Sequence, residues 1–374
     1  MAVPISVAAH SALAPVLLLL AAGAGARAAP IERSAGSHAL HAVRIERQTM
    51  YSAAVARNLL GTSAEREIYV ALPPSYDSRP HRRYPTIYAL HGFGIGPKKW
   101  MDELQAERGL TEAFAGGTPE MIVVFPDGSN EYGGSFYASS PATGDFERFV
   151  ADELPAFIDS HYRTIPTAAA RGLMGHSMGG YGTARIGALH PGRFGALYMM
   201  SPCCLPPLGA QGLTAQEVGE IGELKSPSQA VGLPFKYAGP LATAAAFSPN
   251  PLKPPLFVDL AVDAGGKLRE DILAKRAANA PLAFFDQHVG AFRTYAAIGI
   301  DVGDQDSIVP AARRMHENLD SYAIANRFEI YPGTHNNRMA ERFRSSVLGF
   351  FGETLTQSRP TRKMEQAHDA KSLR

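Results

Sequence analysis

A chain of 374 residues with 45% hydrophobic content is long enough to bury one large core. Its 36 Lys and Arg balance 35 Asp and Glu, so no overall field exists to hold a polyanion such as nucleic acid or an anionic membrane surface. The expected partner is a small or neutral molecule, and the expected organisation is one domain with insertions.

In chain order, Ala12 to Ala22 is an apolar run too short to span a bilayer, followed by A-x-A patterns at Ala24 to Ala26 and Ala26 to Ala28. Residues 1–28 read as a signal peptide, which implies a secreted or periplasmic protein. The first eleven residues carry no Lys or Arg, so the positively charged start of such a leader is missing. An uncleaved anchor or a misassigned start is the competing reading. No other stretch is long and apolar enough for a transmembrane helix, so no stable membrane insertion is expected after processing.

Residues 29–64 are mixed and polar and read as an N-terminal extension, with the folded domain expected over 65–356. Glu65 to Leu72 (EREIYVAL) alternates as an edge strand should and is stopped by Pro73 and Pro74. Tyr84 to Leu90 (YPTIYAL) and Met121 to Phe125 (MIVVF) are continuous apolar runs, the mark of strands covered on both faces. Asp145 to Tyr162 places apolar residues three and four apart, which predicts an amphipathic helix kinked at Pro155. Arg171 to Met174 leads into GHSMGG, Tyr181 to His190 reads as helix and Phe194 to Met200 as strand.

Leu205 to Leu256 is rich in Pro, Gly and Ala and too long for a plain connection, so it is expected as an insertion near the functional site. Tyr295 to Val302 is a predicted strand, Pro310 to Ala325 a helix, Arg327 to Tyr331 a strand and Arg338 to Phe351 a helix. Residues 357–374 are polar and read as a disordered tail. Alternating strands and helices predict an α/β protein with a mostly parallel central sheet flanked by helices.

Gly175 to Gly179 fits G-x-S-x-G, in which a serine sits on a tight turn between strand and helix, as in the α/β-hydrolase fold. Ser177 is thus the candidate nucleophile. A serine hydroxyl needs a base within hydrogen-bond reach, and the base needs an acid to fix its tautomer; in this fold they follow in the order Ser, Asp, His. Among the later histidines, His335 lies in the loop PGTHNN just past the strand RFEIY, where it would reach the sheet edge. His288 is the reserve, while His190 and His316 read as a helix terminus and a solvated helix position.

Asp304 and Asp306 both occupy the loop after YAAIGI where the acid belongs, and spacing does not separate them; Asp301 is closer to the strand. One oxyanion donor should be the backbone N–H of Met178, and the other should come from His91 to Gly94. His91 itself reads as structural in preference to substrate-facing. No H-x-x-x-H or C-x-x-C occurs, so no metal and no cofactor is expected. The adjacent Cys203 and Cys204 exclude a disulfide framework and read as buried free thiols in preference to a strained vicinal bridge.

With LHGFG, PDGSNEYGGSFYASSPATGDFE, GLMGHSMGGYGTARIGALHPGRF, VGDQD and YPGTH in place, residues 65–352 resemble the esterase D and feruloyl esterase-like family of α/β-hydrolases, which includes mycolyltransferase antigens and enterochelin esterases. The resemblance implies Asp306, closing a G-x-x-D loop, as the acid, His335 as the base, and the backbone of Phe93 and Met178 as oxyanion donors. It also implies that Tyr137 and Ser139 approach the substrate, with loop packing as the competing reading, and His176 beside the serine is a further candidate for substrate contact. The expected function is hydrolysis of a small-molecule or carbohydrate-linked carboxylic ester through an acyl-enzyme. Alternatives are acyl transfer to a sugar or other alcohol, and a non-catalytic binding protein that keeps the fold.

Overall fold

The structure is a computed structural model that describes residues 42–357. The expected signal peptide, and the expected tail apart from Gln357, lie outside the described residues. Strands β1 (Arg44–Tyr51), β2 (Glu65–Leu72), β3 (Thr86–Leu90), β4 (Ile122–Pro126), β5 (Arg171–His176), β6 (Ala196–Met200), β7 (Ala297–Gly303) and β8 (Arg327–Tyr331) make one sheet. Its order is β1-β2-β4-β3-β5-β6-β7-β8. The β1–β2 and β2–β4 pairs are antiparallel, and every pair from β4 onward is parallel.

The continuous apolar runs follow from this placement. In β3, Tyr88 and Leu90 join the cluster on one face while Ile87 and Ala89 join the cluster on the other. In β4, Ile122 and Val124 face one way and Val123 and Phe125 the other. Successive side chains of a strand point to opposite faces, so a strand covered on both sides must be apolar throughout.

Two sequence expectations change at this end of the sheet. EREIYVAL is the second strand rather than the edge, and the edge is β1, which lies inside the expected N-terminal extension. In the polar strand RIERQTMY, Met50 is the one buried side chain, and Arg47 pairs with Glu67 across to β2. An edge strand has little surface to bury and is protected from strand addition by its charges, so β1 carries almost no apolar signal.

Helices α1 (Pro97–Glu103), α2 (Ala106–Ala115), α3 (146–161) and α4 (Met178–Leu189) cover the first part of the sheet. The kink expected at Pro155 takes the form of a widened turn over Phe149–Glu153 just before it, where the ladder adapts to a residue with no N–H to donate. Residues 201–296 separate β6 from β7, so the expected insertion 205–256 is one part of a longer excursion. It carries α5 (Ala215–Gly222), α6 (Phe235–Phe247) and α7 (Glu270–Ala278), then short turns that bury Phe284, Phe285 and Phe292. Composition marked only its Pro- and Gly-rich half. Helix α8 (Val309–Ser321) and a final helix, α9 (339–357), complete the described chain.

Candidate active site

Ser177 stands between β5 and α4 with φ 55° and ψ −113°, a backbone conformation that L side chains rarely take and that costs about 1–3 kcal/mol. Neighbouring backbone holds it there. Its N–H donates to the Met200 carbonyl at 3.0 Å, and its own carbonyl accepts from Tyr181 N–H at 3.0 Å and Cys203 N–H at 3.1 Å. A Cβ at Gly179 would collide with the Leu90 carbonyl, and one at Gly175 with the backbone of Gly179. The glycines of G-x-S-x-G are therefore required by the close approach of β3, β5 and α4, which lifts the hydroxyl above the carboxyl edge of the sheet.

His335, in the loop after β8, places Nε2 2.9 Å from Ser177 Oγ and Nδ1 2.6 Å from Asp306 Oδ2. The Asp306 side chain is 3% exposed and that of His335 33%. A buried carboxylate beside Nδ1 keeps the proton on that nitrogen, which leaves Nε2 free to accept from the serine hydroxyl. Asp306 Oδ1 is held in turn by the Ile308 N–H at 3.2 Å.

The two loop aspartates that spacing left equivalent have separate partners. Asp304 turns away from the imidazole and accepts the Gly333 N–H at 2.9 Å, while its own N–H donates to the Tyr331 carbonyl at 2.8 Å. It ties the loop that carries His335 to the end of β8. Asp301 lies deeper, bonded to Arg342 at 2.9 Å and Tyr198 at 3.0 Å, and its burial pushes its carboxyl up to about 6. Neither contacts His335. Of the other histidines, His190 binds Glu147, His316 binds Asn326 and His288 packs on Phe284; none is bonded to Ser177.

Phe93 and Met178 both line the cleft beside Ser177, and Met178 is the first residue of α4, where N–H groups have no acceptor within the helix. His91 is fully buried and structural: its Nε2 accepts the Gly128 N–H at 2.8 Å and its Nδ1 faces the Gly92 carbonyl at 2.8 Å. Tyr137 and Ser139, expected near substrate, do not reach the cleft. The Tyr137 ring is buried against Gly128 and Gly182, with its hydroxyl on the His91 carbonyl at 3.0 Å. Ser139 is exposed in a short hairpin opposite Asp145. Phe136 lines the cleft instead, in a turn with successive positive φ values, 52° at Phe136 and 48° at Tyr137.

The cleft, about 630 Å³, is also lined by residues that the motifs did not reveal: Cys203, Cys204, Gln211 and Phe235 from the excursion, with Ile308 and Met339 opposite. The Phe235 ring meets Phe93 edge-on at 5.4 Å. The composition of 205–256 pointed to a segment near the site but not to individual side chains. Among the described residues no three His, Cys, Asp or Glu side chains converge as metal ligands, and no helix is long and apolar enough to cross a membrane.

His176, the x of the motif, sits between Trp100 and His335. It stacks on the indole at 5.7 Å, and its Nε2 lies 2.9 Å from the His335 carbonyl oxygen, to which it donates as the neutral ring. Burial, reinforced by the neighbouring His335, lowers its pKa from 6.5 to about 4. Below pH 6.5 the unfolded chain therefore binds a proton that the folded chain refuses until about pH 4. Stability should fall across that window by up to on the order of 3 kcal/mol. Urea unfolding at neutral pH and near pH 4 checks this: His176→Gln should lose less stability than the parent, and equal losses would contradict it.

A mainly parallel sheet ordered in this way, with a serine turn at its carboxyl edge, defines an α/β-hydrolase. The chain belongs to the Esterase family, whose model matches residues 61–349. Esterase Rv1288 of Mycobacterium tuberculosis is 30% identical over 132 residues, covering 34% of this chain and 27% of that protein. This chain thus matches about a quarter of the length of that curated relative. Among solved structures, a ferulic acid esterase is similar with a TM-score of 0.59 at 19% identity, over 85% of this chain and 99% of that one. The fluorophosphonate-binding serine hydrolase FphF of Staphylococcus aureus gives a TM-score of 0.57 at 15% identity, over 83% and 99%. At such identities these structural likenesses establish the fold.

Proposed function

We propose that this chain is a secreted or periplasmic serine carboxylic ester hydrolase that works through an acyl-enzyme on a small-molecule or carbohydrate-linked ester. The observation that carries the reading is the His335 imidazole bridging Ser177 at 2.9 Å and Asp306 at 2.6 Å. His335 Nε2 takes the proton of Ser177 Oγ as the oxygen attacks the ester carbonyl, and then returns it to the departing alcohol. Asp306 keeps the imidazole in the required tautomer and stabilises its charged form. The backbone N–H groups of Phe93 and Met178 receive the oxyanion, each such donor being worth about 3–4 kcal/mol of barrier. Water then repeats the attack on the acyl-serine, with His335 as its base.

Phe93, Phe136, Met178 and Phe235 give the cleft apolar walls that suit the body of an acyl or alcohol group. No cofactor takes part in this reading. Export is supported by the leader-like run at residues 12–22 and the A-x-A sites after it.

A fluorophosphonate probe tests the mechanism, because only an activated serine displaces fluoride from it. One equivalent should be incorporated at the peptide carrying Ser177, alongside turnover of a p-nitrophenyl ester in water. Unlabelled protein with unchanged ester turnover would remove Ser177 from the chemistry. Acyl product on an added sugar or alcohol, in place of free acid, would reassign the activity as acyl transfer.

A further inference from the structure

Cys203 and Cys204 are the two cysteines of the whole sequence, they are adjacent, and both are free thiols in the wall of the cleft that holds Ser177. The hydrolytic mechanism uses neither. The segment that carries them leaves β6 with two residues of positive φ, Ser201 at 38° and Cys204 at 60°. Both are β-substituted residues held in a region that favours glycine, so this short turn is fixed by its surroundings rather than by its own preference. The Cys203 N–H donates to the Ser177 carbonyl at 3.1 Å, so the backbone of the thiol pair is bonded directly to the backbone of the nucleophile.

The two side chains also contact each other. A hydrogen bond with Cys203, reinforced by burial, pushes the Cys204 thiol well above its usual range, so Cys204 keeps its proton.

We propose that Cys203 and Cys204 form a reversible vicinal disulfide that switches the adjoining Ser177 site off when the protein meets a hydroperoxide. The switched activity is the serine chemistry proposed above, but bridge formation is independent of it. The thiolate of Cys203 attacks the terminal oxygen of the hydroperoxide; the O–O bond breaks, the alkoxide leaves and takes up a proton, and Cys203 becomes a sulfenic acid. The Cys204 sulfur displaces hydroxide from that sulfenic acid as its own proton departs, which forms the S–S bond and releases water. In sum, two thiols and one hydroperoxide give one disulfide, one alcohol and one water; the thiols supply two electrons and the O–O bond takes them.

Adjacent Cα atoms are about 3.8 Å apart, closer than the usual span of about 4.4–6.8 Å for a disulfide. The bridge therefore closes only if the backbone of residues 203 and 204 twists. The Cys203 N–H moves with that twist, and the Ser177 carbonyl loses one of its two donors. Nucleophile geometry is sensitive to such displacement: an ångström of misplacement can cost about a hundredfold in rate. A vicinal ring closed against strain also opens readily to a dithiol, which makes the change reversible.

The test uses the intact protein, one equivalent of tert-butyl hydroperoxide, and then dithiothreitol. Mass spectrometry of the peptide containing residues 203 and 204 should show the loss of two hydrogen atoms, and p-nitrophenyl ester turnover should fall by about tenfold to a hundredfold. Both should be restored by dithiothreitol. Cys203→Ser and Cys204→Ser, each compared with its own untreated rate, should lose the response. The proposal is overturned by oxygen addition to one cysteine without bridge formation, by disulfide-linked dimers on a non-reducing gel, by a bridged peptide with unchanged turnover, or by inhibition that persists in the serine variants. If untreated protein has no turnover, the ester hydrolase reading fails; the mass change, together with altered protease susceptibility of the 201–205 turn, still reports the bridge.

Discussion

Ser177→Ala should reduce turnover of a p-nitrophenyl ester by about a millionfold, the loss seen when the nucleophile of a complete triad is removed. That corresponds to about 8 kcal/mol of lost transition-state stabilisation. The hydroxyl is bonded to His335 at 2.9 Å, and the positions of β5 and α4 depend on backbone bonds of residue 177 that alanine keeps. Alanine also meets the same φ of 55° with much the same strain as serine. Thermal unfolding should therefore change little while kcat/KM collapses. An unchanged rate in a folded variant would show that the ester is cleaved elsewhere, and a collapsed fold would show that the hydroxyl is structural.

Asp306→Asn should lower kcat by about ten-thousandfold with little change in stability, through the tautomer rather than the geometry. The amide is nearly the same shape, but its NH2 group would donate to His335 Nδ1, now 2.6 Å from a carboxylate oxygen. The ring proton would then move to Nε2, where it faces Ser177 and cannot accept. Asp304→Asn is the matching control. Its retained side-chain carbonyl can still accept the Gly333 N–H at the 2.9 Å site, so the rate should fall by less than about tenfold, within the effect of a modest surface change. A larger loss at Asp304 than at Asp306 would transfer the acid's role to the wrong side of the loop and contradict the geometry.

The sequence alone determined that the central strands are covered on both faces, because runs such as TIYAL and IVVFP carry no charged residue and only Thr86 as a small polar one. It also marked where a serine could be lifted from the sheet, since an apolar strand candidate before G-x-S-x-G and a helical pattern after it are the context such a tight turn requires. What it left equivalent was decided by contacts between distant segments. Asp304 and Asp306 are two residues apart in one loop, and only the arrival of the loop after β8 gives Gly333 to one and His335 to the other.

The same reason accounts for the misplaced features. Strand β1 is polar because an edge needs little burial, so no local pattern announces it. Phe136 lines the cleft while the Tyr137 ring is buried against Gly128 and Gly182, both residues lying in a turn at positive φ where side chains follow no strand or helix period. The excursion's Cys203, Cys204, Gln211 and Phe235 become cleft walls through long-range packing. Periodicity and turn chemistry are properties of neighbouring residues, whereas a site built from side chains 158 residues apart, as Ser177 and His335 are, exists only once the sheet has closed the distance.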